Sequence, residues 1–339
     1  MTPGPTLALV APAQDPGVSP DAVLLGLPIA RRTALAARRA GFSRVEAVRA
    51  TPALAAALDG TGAALVDAPS PDAMRLPWNV VVALRDLRAF AGGASSVGVV
   101  VRSPADLRHA EDLLLKGLIK DEDGFMSRHF DRAISLSMSR RLAGTRVTPN
   151  QMTIVAVAIG LVGAPFFVSS RPAVQVLGGL LFVLHSIVDG CDGELARLKF
   201  QESRYGGALD FWGDNLVHIA VFAAMALGLA ASTGRTWPLW CGASSVLATI
   251  ASATLVYRRT MRGPKEGPLY TSVATHSRTT LSRLADAVSR RDFIYLILIM
   301  SAFGVADWFV ISSAVITPAY FLALLIVAWN DRRVARSVS

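Results

Sequence analysis

Two different hydrophobic periodicities divide this chain near its first third. Before about residue 120, short apolar runs alternate with stretches of helical spacing. The runs are LALVA (7–11), RVEAV (44–48), AALVD (63–67) and VGVVV (97–101); the helical stretches are 28–41, 52–58 and 104–118. Buried strands alternating with helices predict a soluble α/β domain with a mainly parallel sheet over residues 1–120. From residue 149 the pattern changes to long apolar runs separated by basic clusters. A bilayer span takes about 20 mostly apolar residues. Six segments are assigned on that basis: 150–169, 173–196, 207–231, 237–257, 292–307 and 311–329. Asp307 and Trp308 interrupt the last two and read as an interfacial turn, because Trp favours the headgroup region.

Residues 121–148 link the two parts. FMSRHFDRAISLSMSRRLA (125–143) sets Phe130, Ile134, Met138 and Leu142 at helical spacing against Arg and Ser. That is the pattern of an amphipathic helix lying in the membrane interface; an ordinary soluble linker helix is the alternative. Thr148-Pro149-Asn150 breaks it and opens the first span. The expected fold is an α-helical integral membrane protein. Its domain over 149–339 has six transmembrane helices, preceded by the interfacial helix and by the N-terminal α/β domain. No internal repeat stands out.

The net charge of +9 does not point to nucleic acid, because the cations flank the apolar runs. Basic residues cluster at 128–146, 197–204, 258–291 and 332–336, against Arg171 and Arg235 between the other spans. Positive-inside asymmetry then puts both termini on the cytoplasmic side of the cell (inner) membrane. The N-terminus MTPGPTLALV lacks a basic stretch before a long apolar core, so no cleavable signal peptide is expected. Cys191 and Cys241 lie in or beside predicted spans and suggest neither a disulfide framework nor a zinc site.

The chemistry concentrates in DGCDGELARLKFQESRYGGALDFWGD, residues 189–214. Asp189 and Asp192 are three apart, Asp210 and Asp214 four apart, so each pair shares one face of its helix. A carboxylate at the bilayer centre costs about 2.5–3.5 kcal/mol even on the gentlest scale, and four of them call for neutralisation. Oxygen-only ligation favours Mg²⁺ or Mn²⁺ over Zn²⁺. Gly190, Gly193 and Ala196 keep the second span bare for a flat ligand, and Gly206 and Gly207 do the same at the start of the third.

The spacing D189-x2-D192-G193-x2-A196-R197-x8-G206-x3-D210-x3-D214 resembles, position by position, the signature of the CDP-alcohol phosphotransferase family. The resemblance implies six transmembrane helices, a homodimer, and transfer of a substituted phosphate from a CDP-linked donor to an alcohol acceptor with release of CMP. It implies two metal ions at Asp189, Asp192, Asp210 and Asp214, with Asp214 also the base. It implies a nucleotide seat made by Gly193, Ala196 and Arg197, with Asp192 and Gly206. Asn150 and Thr153 open the first span near the same face and join that set, although a helix cap explains them as well. His185 and His218 stand four residues before Asp189 and four after Asp214, placed either to line the cavity or to be satisfied within the bundle. Arg290-Arg291-Asp292 is placed to grip an acceptor phosphate or to serve as a plain positive flank.

Residues 26–48 resemble the segment after the nucleotide loop of sugar-nucleotide and inositol-phosphate cytidylyltransferases, domains found fused to some members of the phosphotransferase family. The loop itself, APAQDPGVSPDAVLLG, has prolines where backbone N–H groups would cradle phosphates. The expectation is a nucleotidyltransferase-like domain without its own chemistry, and an acceptor that leans toward an inositol phosphate. Two other functions use intramembrane carboxylates. Prenyltransferases normally carry their two Asp-rich motifs far apart in the chain. A cation transporter spreads carboxylates through the membrane depth. Here both pairs fall in consecutive spans toward one face.

Overall fold

The computed structural model describes residues 4–93, 98–119, 126–260 and 292–338, the last stretch with side chains to residue 330. The chain divides into two compact units. One comprises Met1–Asp121, Ser139–Arg146 and Arg197–Phe200; the other comprises Glu122–Met138, Val147–Ala196 and Gln201–Ser339.

The first unit is built on β1 (Thr6–Val10), β2 (Val23–Leu24), β3 (Leu27–Pro28), α1 (Ile29–Ala40), β4 (Arg44–Val48), α2 (Pro52–Leu58), β5 (Ala64–Val66), β6 (Met74–Pro77), β7 (Val80–Val81), α3 (Leu84–Ala91), β8 (Val99–Val100) and α4 (Pro104–Lys116). Four strands pair in parallel in the order β5-β4-β1-β6, with Leu7 opposite Val45 on one side and Met74 on the other. Leu7, Ala8 and Leu9 are fully buried, as a central parallel strand covered on both faces must be. Leu54, Leu76, Trp78 and Leu87 close the core around them.

Two features differ from the sequence expectation. Within the expected run 97–101, Val99 and Val100 do not join the main sheet; they pair antiparallel with Val81 and Val80. The place beside β1 belongs instead to Met74–Pro77, where only Leu76 is buried. An edge strand needs little apolar surface and tolerates a proline, so MRLP carries no strand signal. Within this unit Glu46 is buried in β4, accepting from Ser70 N (2.9 Å) and Ser70 Oγ (2.6 Å) and pairing with Arg44 (3.1 Å). Those hydrogen bonds, with Arg44's charge, hold its carboxyl below the ordinary value.

The second unit is helical. A π-turn at Ser127–Asp131 leads into α5 (Arg132–Ala143). α6 (Pro149–Gly163) continues as a 3-10 turn to Val168, followed by α7 (Pro172–Lys199), α8 (Arg204–Thr233), α9 (Trp237–Thr260), α10 (Phe293–Ala302) and α11 (Asp307–Val338). Thr148 and Gln151 form a reciprocal capping box that starts α6, with Pro149 in its first turn. Pro165 lacks the N–H needed to continue the α-helix, which is why the expected single span 150–169 changes pitch.

Among the described residues five helices are long and apolar enough to cross a bilayer: Pro149–Val168, Pro172–Lys199, Arg204–Thr233, Trp237–Thr260 and Asp307–Asn330. The expected span 292–307 is a helix only over Phe293–Ala302, ended by Gly304 in the left-handed region (φ 69°). The turn therefore falls before Asp307 and Trp308, which open α11. Arg262, Lys265, Arg278, Arg283, Arg290 and Arg291, counted above among the basic flanks, lie outside the described residues.

Small residues let α6 and α8 approach closely. A Cβ on Gly160 would stand 2.4 Å from Val217, and one on Gly213 2.5 Å from Val157, so only hydrogen fits at either place. The segment 127–135 is inverted relative to a helix in water. Asp131, Arg132 and Ser135 are buried, whereas Phe130 and Ile134 are exposed.

Candidate active site

Residues 200–203 join α7 to α8, and Ser203 Oγ caps α8 by accepting from Gly206 N at 3.0 Å. The late turns of α7 and the early turns of α8 are thus adjacent in the chain on either side of a short connection. Asp189 and Asp192, nearly fully buried, meet Asp210 there, with one oxygen of each within 4.8 Å of the others. Three carboxylates so close repel strongly unless a cation or protons intervene. A set of hard oxygen donors suits a divalent ion of the Mg²⁺ type, so the residues present fit the implied metal.

Thr153 of α6 donates its hydroxyl to Asp192 Oδ2, tying the first span to the cluster. Asn150 lies over the start of α8: a Cβ on Gly206 would come within 2.9 Å of Asn150 Oδ1. The structure therefore brings Thr153 to Asp192 and Asn150 to Gly206. Gly193 and Ala196 are half-buried on α7. Arg197 stands in the last turn of α7 and groups with the N-terminal unit.

Asp214 occupies a different setting, one turn along α8 from Asp210. Its Oδ1 lies 3.4 Å from His185 Nε2 and 3.7 Å from His218 Nε2. His185 has no exposed surface, and its Nδ1 is 2.9 Å from the carbonyl of Ala156 on α6.

A second buried polar group adjoins the aspartates on α7 and was not singled out from the sequence. Glu194, fully buried, accepts from Arg132 (2.7 Å) and from Ser135 Oγ (2.7 Å). Tyr295 of α10 donates to Asp131. The signal was present in the chain: Glu194 is a further carboxylate in an apolar run, and Arg132 begins α5, but as a flanking cation Arg132 reads no differently from its neighbours.

The geometry can be set beside known proteins. The sequence profile described as CDP-alcohol phosphatidyltransferase matches residues 146–317, half of the chain and all four aspartates. Over 127 residues the chain is 39% identical to a bifunctional IPC transferase and DIPP synthase of Thermococcus kodakarensis, covering 37% of this chain and 28% of that protein. It is 29% identical over 234 residues to the protein of the same description from Aquifex aeolicus, covering 68% of this chain and 50% of the relative. An archaetidylinositol phosphate synthase of Pyrococcus horikoshii is 33% identical over 91 residues, 27% of this chain and 47% of the relative. The chain thus spans half or less of the length of these curated relatives. A buried carboxylate cluster on two consecutive apolar helices, inside a profile match that takes in half the sequence, leaves one assignment: the chain belongs to the CDP-alcohol phosphatidyltransferase family.

Proposed function

We propose that this protein transfers a substituted phosphate group from a CDP-linked donor to an alcohol acceptor, releasing CMP. The observation that carries this reading is the convergence of Asp189, Asp192 and Asp210 within 4.8 Å inside the family-matched segment. These three, with Asp214 on the same helix as Asp210, would hold two divalent ions, Mg²⁺ or Mn²⁺. When bound, the metal supplies positive charge against the donor pyrophosphate and the departing CMP.

The chain's own residues do the rest. Asp214 takes the proton of the acceptor hydroxyl as its oxygen attacks the distal phosphorus, and the bond from that phosphorus to the CMP oxygen breaks. Gly193, Ala196 and Gly206 leave room for the cytidine, and Arg197 and Asn150 supply polar contacts to it. Thr153 holds Asp192 in the orientation the cluster needs.

The same reading includes six spans, with Phe293–Ala302 in the fifth, a homodimer, and both termini and the site on the cytoplasmic face of the inner membrane. Residues 127–143 lie in the interface. What supports that placement is the outward Phe130 and Ile134, which suit lipid and not water. The names of the relatives favour an inositol phosphate as acceptor, with CDP-diacylglycerol or CDP-inositol as donor. Residues 1–120 act as a nucleotidyltransferase-like scaffold without chemistry of its own. A CMP-release assay on purified protein with Mg²⁺, crossing both donors with inositol phosphate, inositol, glycerol phosphate and serine, tests the proposal. Metal-dependent CMP release with one pair is expected; no release from either donor with any acceptor overturns it.

A further inference from the structure

We propose that His185 is a positioning residue of the transfer reaction, an imidazole that holds the Asp214 carboxylate by one oxygen and fixes the direction of its edge, with His218 packed beside the same oxygen. The inference rests on the reading of Asp214 as the base and adds to it a support that no residue of the family-type spacing provides.

Three observations converge. His185 Nε2 of α7 meets Asp214 Oδ1 at 3.4 Å, and His218 Nε2 of α8 stands 3.7 Å from the same atom, outside hydrogen-bond distance. The His185 ring is anchored from the far side as well. Its Nδ1 meets the Ala156 carbonyl at 2.9 Å; a carbonyl and a carboxylate both only accept, so the ring holds Ala156 and Asp214 together by carrying a hydrogen on each nitrogen. The imidazole therefore bridges α6, α7 and α8, and turning it would break contacts on two of them. The third observation is the seat. Phe182 stacks on His185 (5.9 Å between ring centres, 11° between planes) and meets His218 edge-on (5.6 Å, 80°). Phe293 and Phe222 hold the other side of His218. A Cβ on Gly160 would come within 3.1 Å of His185 Cγ, so that glycine leaves the slot the ring fills.

The bland explanation is a pair of histidines that merely fill space. Apolar residues would fill this seat without the expense of placing polar rings among membrane helices. The Ala156 carbonyl also gives His185 one partner, which is all a satisfied neutral ring requires on that side. Neither point explains why the other ring nitrogen of His185 is aimed at the Asp214 carboxylate, which a neutral ring with its hydrogen on Nδ1 would repel. Fixing the carboxylate does, because a base misplaced by about 1 Å loses roughly 100-fold in rate.

The test uses the purified full-length protein in nanodiscs with Mg²⁺, CDP-diacylglycerol and inositol phosphate, and the variants H185F, H185Q, H218F and D214N. H185F is expected to lower kcat roughly 100-fold while donor KM stays within about threefold, with H185Q recovering part of the loss. The loss in H185F combined with D214N should be no greater than in D214N alone, because the histidine acts through the aspartate. An unchanged kcat in H185F, or a loss confined to KM, overturns the proposal. A readout independent of turnover accompanies it: the imidazole ¹⁵N resonances of His185 and His218, assigned by their disappearance in H185Q and H218F. D214N should move both; resonances that do not respond overturn the contact. If wild-type protein releases no CMP the transfer reading falls, while the resonances still decide whether His185 holds Asp214.

Discussion

Asp189, Asp192 and Asp214 differ in what surrounds them, and that difference sorts their roles. Asp189 and Asp192 share the cluster with Asp210, so Asp189→Asn should weaken metal binding, read as a higher Mg²⁺ concentration for half-maximal activity. Asp214 also meets imidazoles, so Asp214→Asn should leave nucleotide affinity nearly intact, weaken metal binding less than Asp189→Asn does, and lower kcat by about 10²–10⁴, the range for losing a general base. Arg132→Ala should be more damaging than its place near the start of a helix suggests. It leaves Glu194 as a buried charge without its guanidinium, a loss of about 3–5 kcal/mol by precedent for broken buried pairs. The double variant with Glu194→Gln should recover part of that in thermal melts. At this scale the sequence was most informative about the aspartates, because carboxylates in apolar runs are anomalous wherever they point. It was silent on which atoms the histidines face, since a spacing of four residues from an aspartate places an imidazole on a helix face but does not orient its ring.

Close helix packing explains why α6 belongs to the site even though it carries none of the aspartates. Gly160 and Gly213 bring α6 and α8 together, and through that contact Thr153 reaches Asp192 and Ala156 reaches His185. Gly213→Ala should therefore separate the helices and cost about 1–3 kcal/mol of stability by overpacking, with activity falling alongside; Val157→Ala in the same chain should restore much of both. The elements themselves were legible in proportion to their apolar surface. RVEAV and PALAAAL appear in the structure at the expected bounds, because strong periodicity and an N-cap threonine mark them. The edge strand MRLP and the helix Leu84–Ala91 bury one side chain each, too little for periodicity to register. The third and fourth expected spans also appear as long helices, α8 and α9, since nothing inside them competes with the helix. Gly304 and Pro165 did compete, and the pitch or direction of the chain changes at each.

Over the whole molecule the two units should respond to solution conditions separately. In the N-terminal unit, Glu46 has a lowered carboxyl pKa, held down chiefly by Ser70. A depressed acid contributes stability above its unfolded pKa and loses it as pH falls through the folded value. Circular-dichroism melts should thus show the unit weakening below about pH 4.3, with a flatter profile in Glu46→Gln. In the membrane unit, chelation should lower the melting temperature, because the ion no longer offsets repulsion among three carboxylates. Asp210→Asn should shrink that chelator effect. The change in apolar run length near residue 149 is visible from composition alone, whereas the grouping of Ser139–Arg146 and Arg197–Phe200 with the N-terminal unit is not, because it follows from tertiary contacts.

The short connection at 200–203 carries one last consequence. Asp192 lies seven residues before the end of α7 and Asp210 six after the start of α8, so the two stand at nearly equal depth, about 9–11 Å from their helix ends at 1.5 Å per residue. Equal depth depends on register rather than on side-chain identity. One alanine inserted between Tyr205 and Asp210 would swing the aspartate about 100° around the helix axis. The pocket would be dismantled with every ligand residue still in the chain.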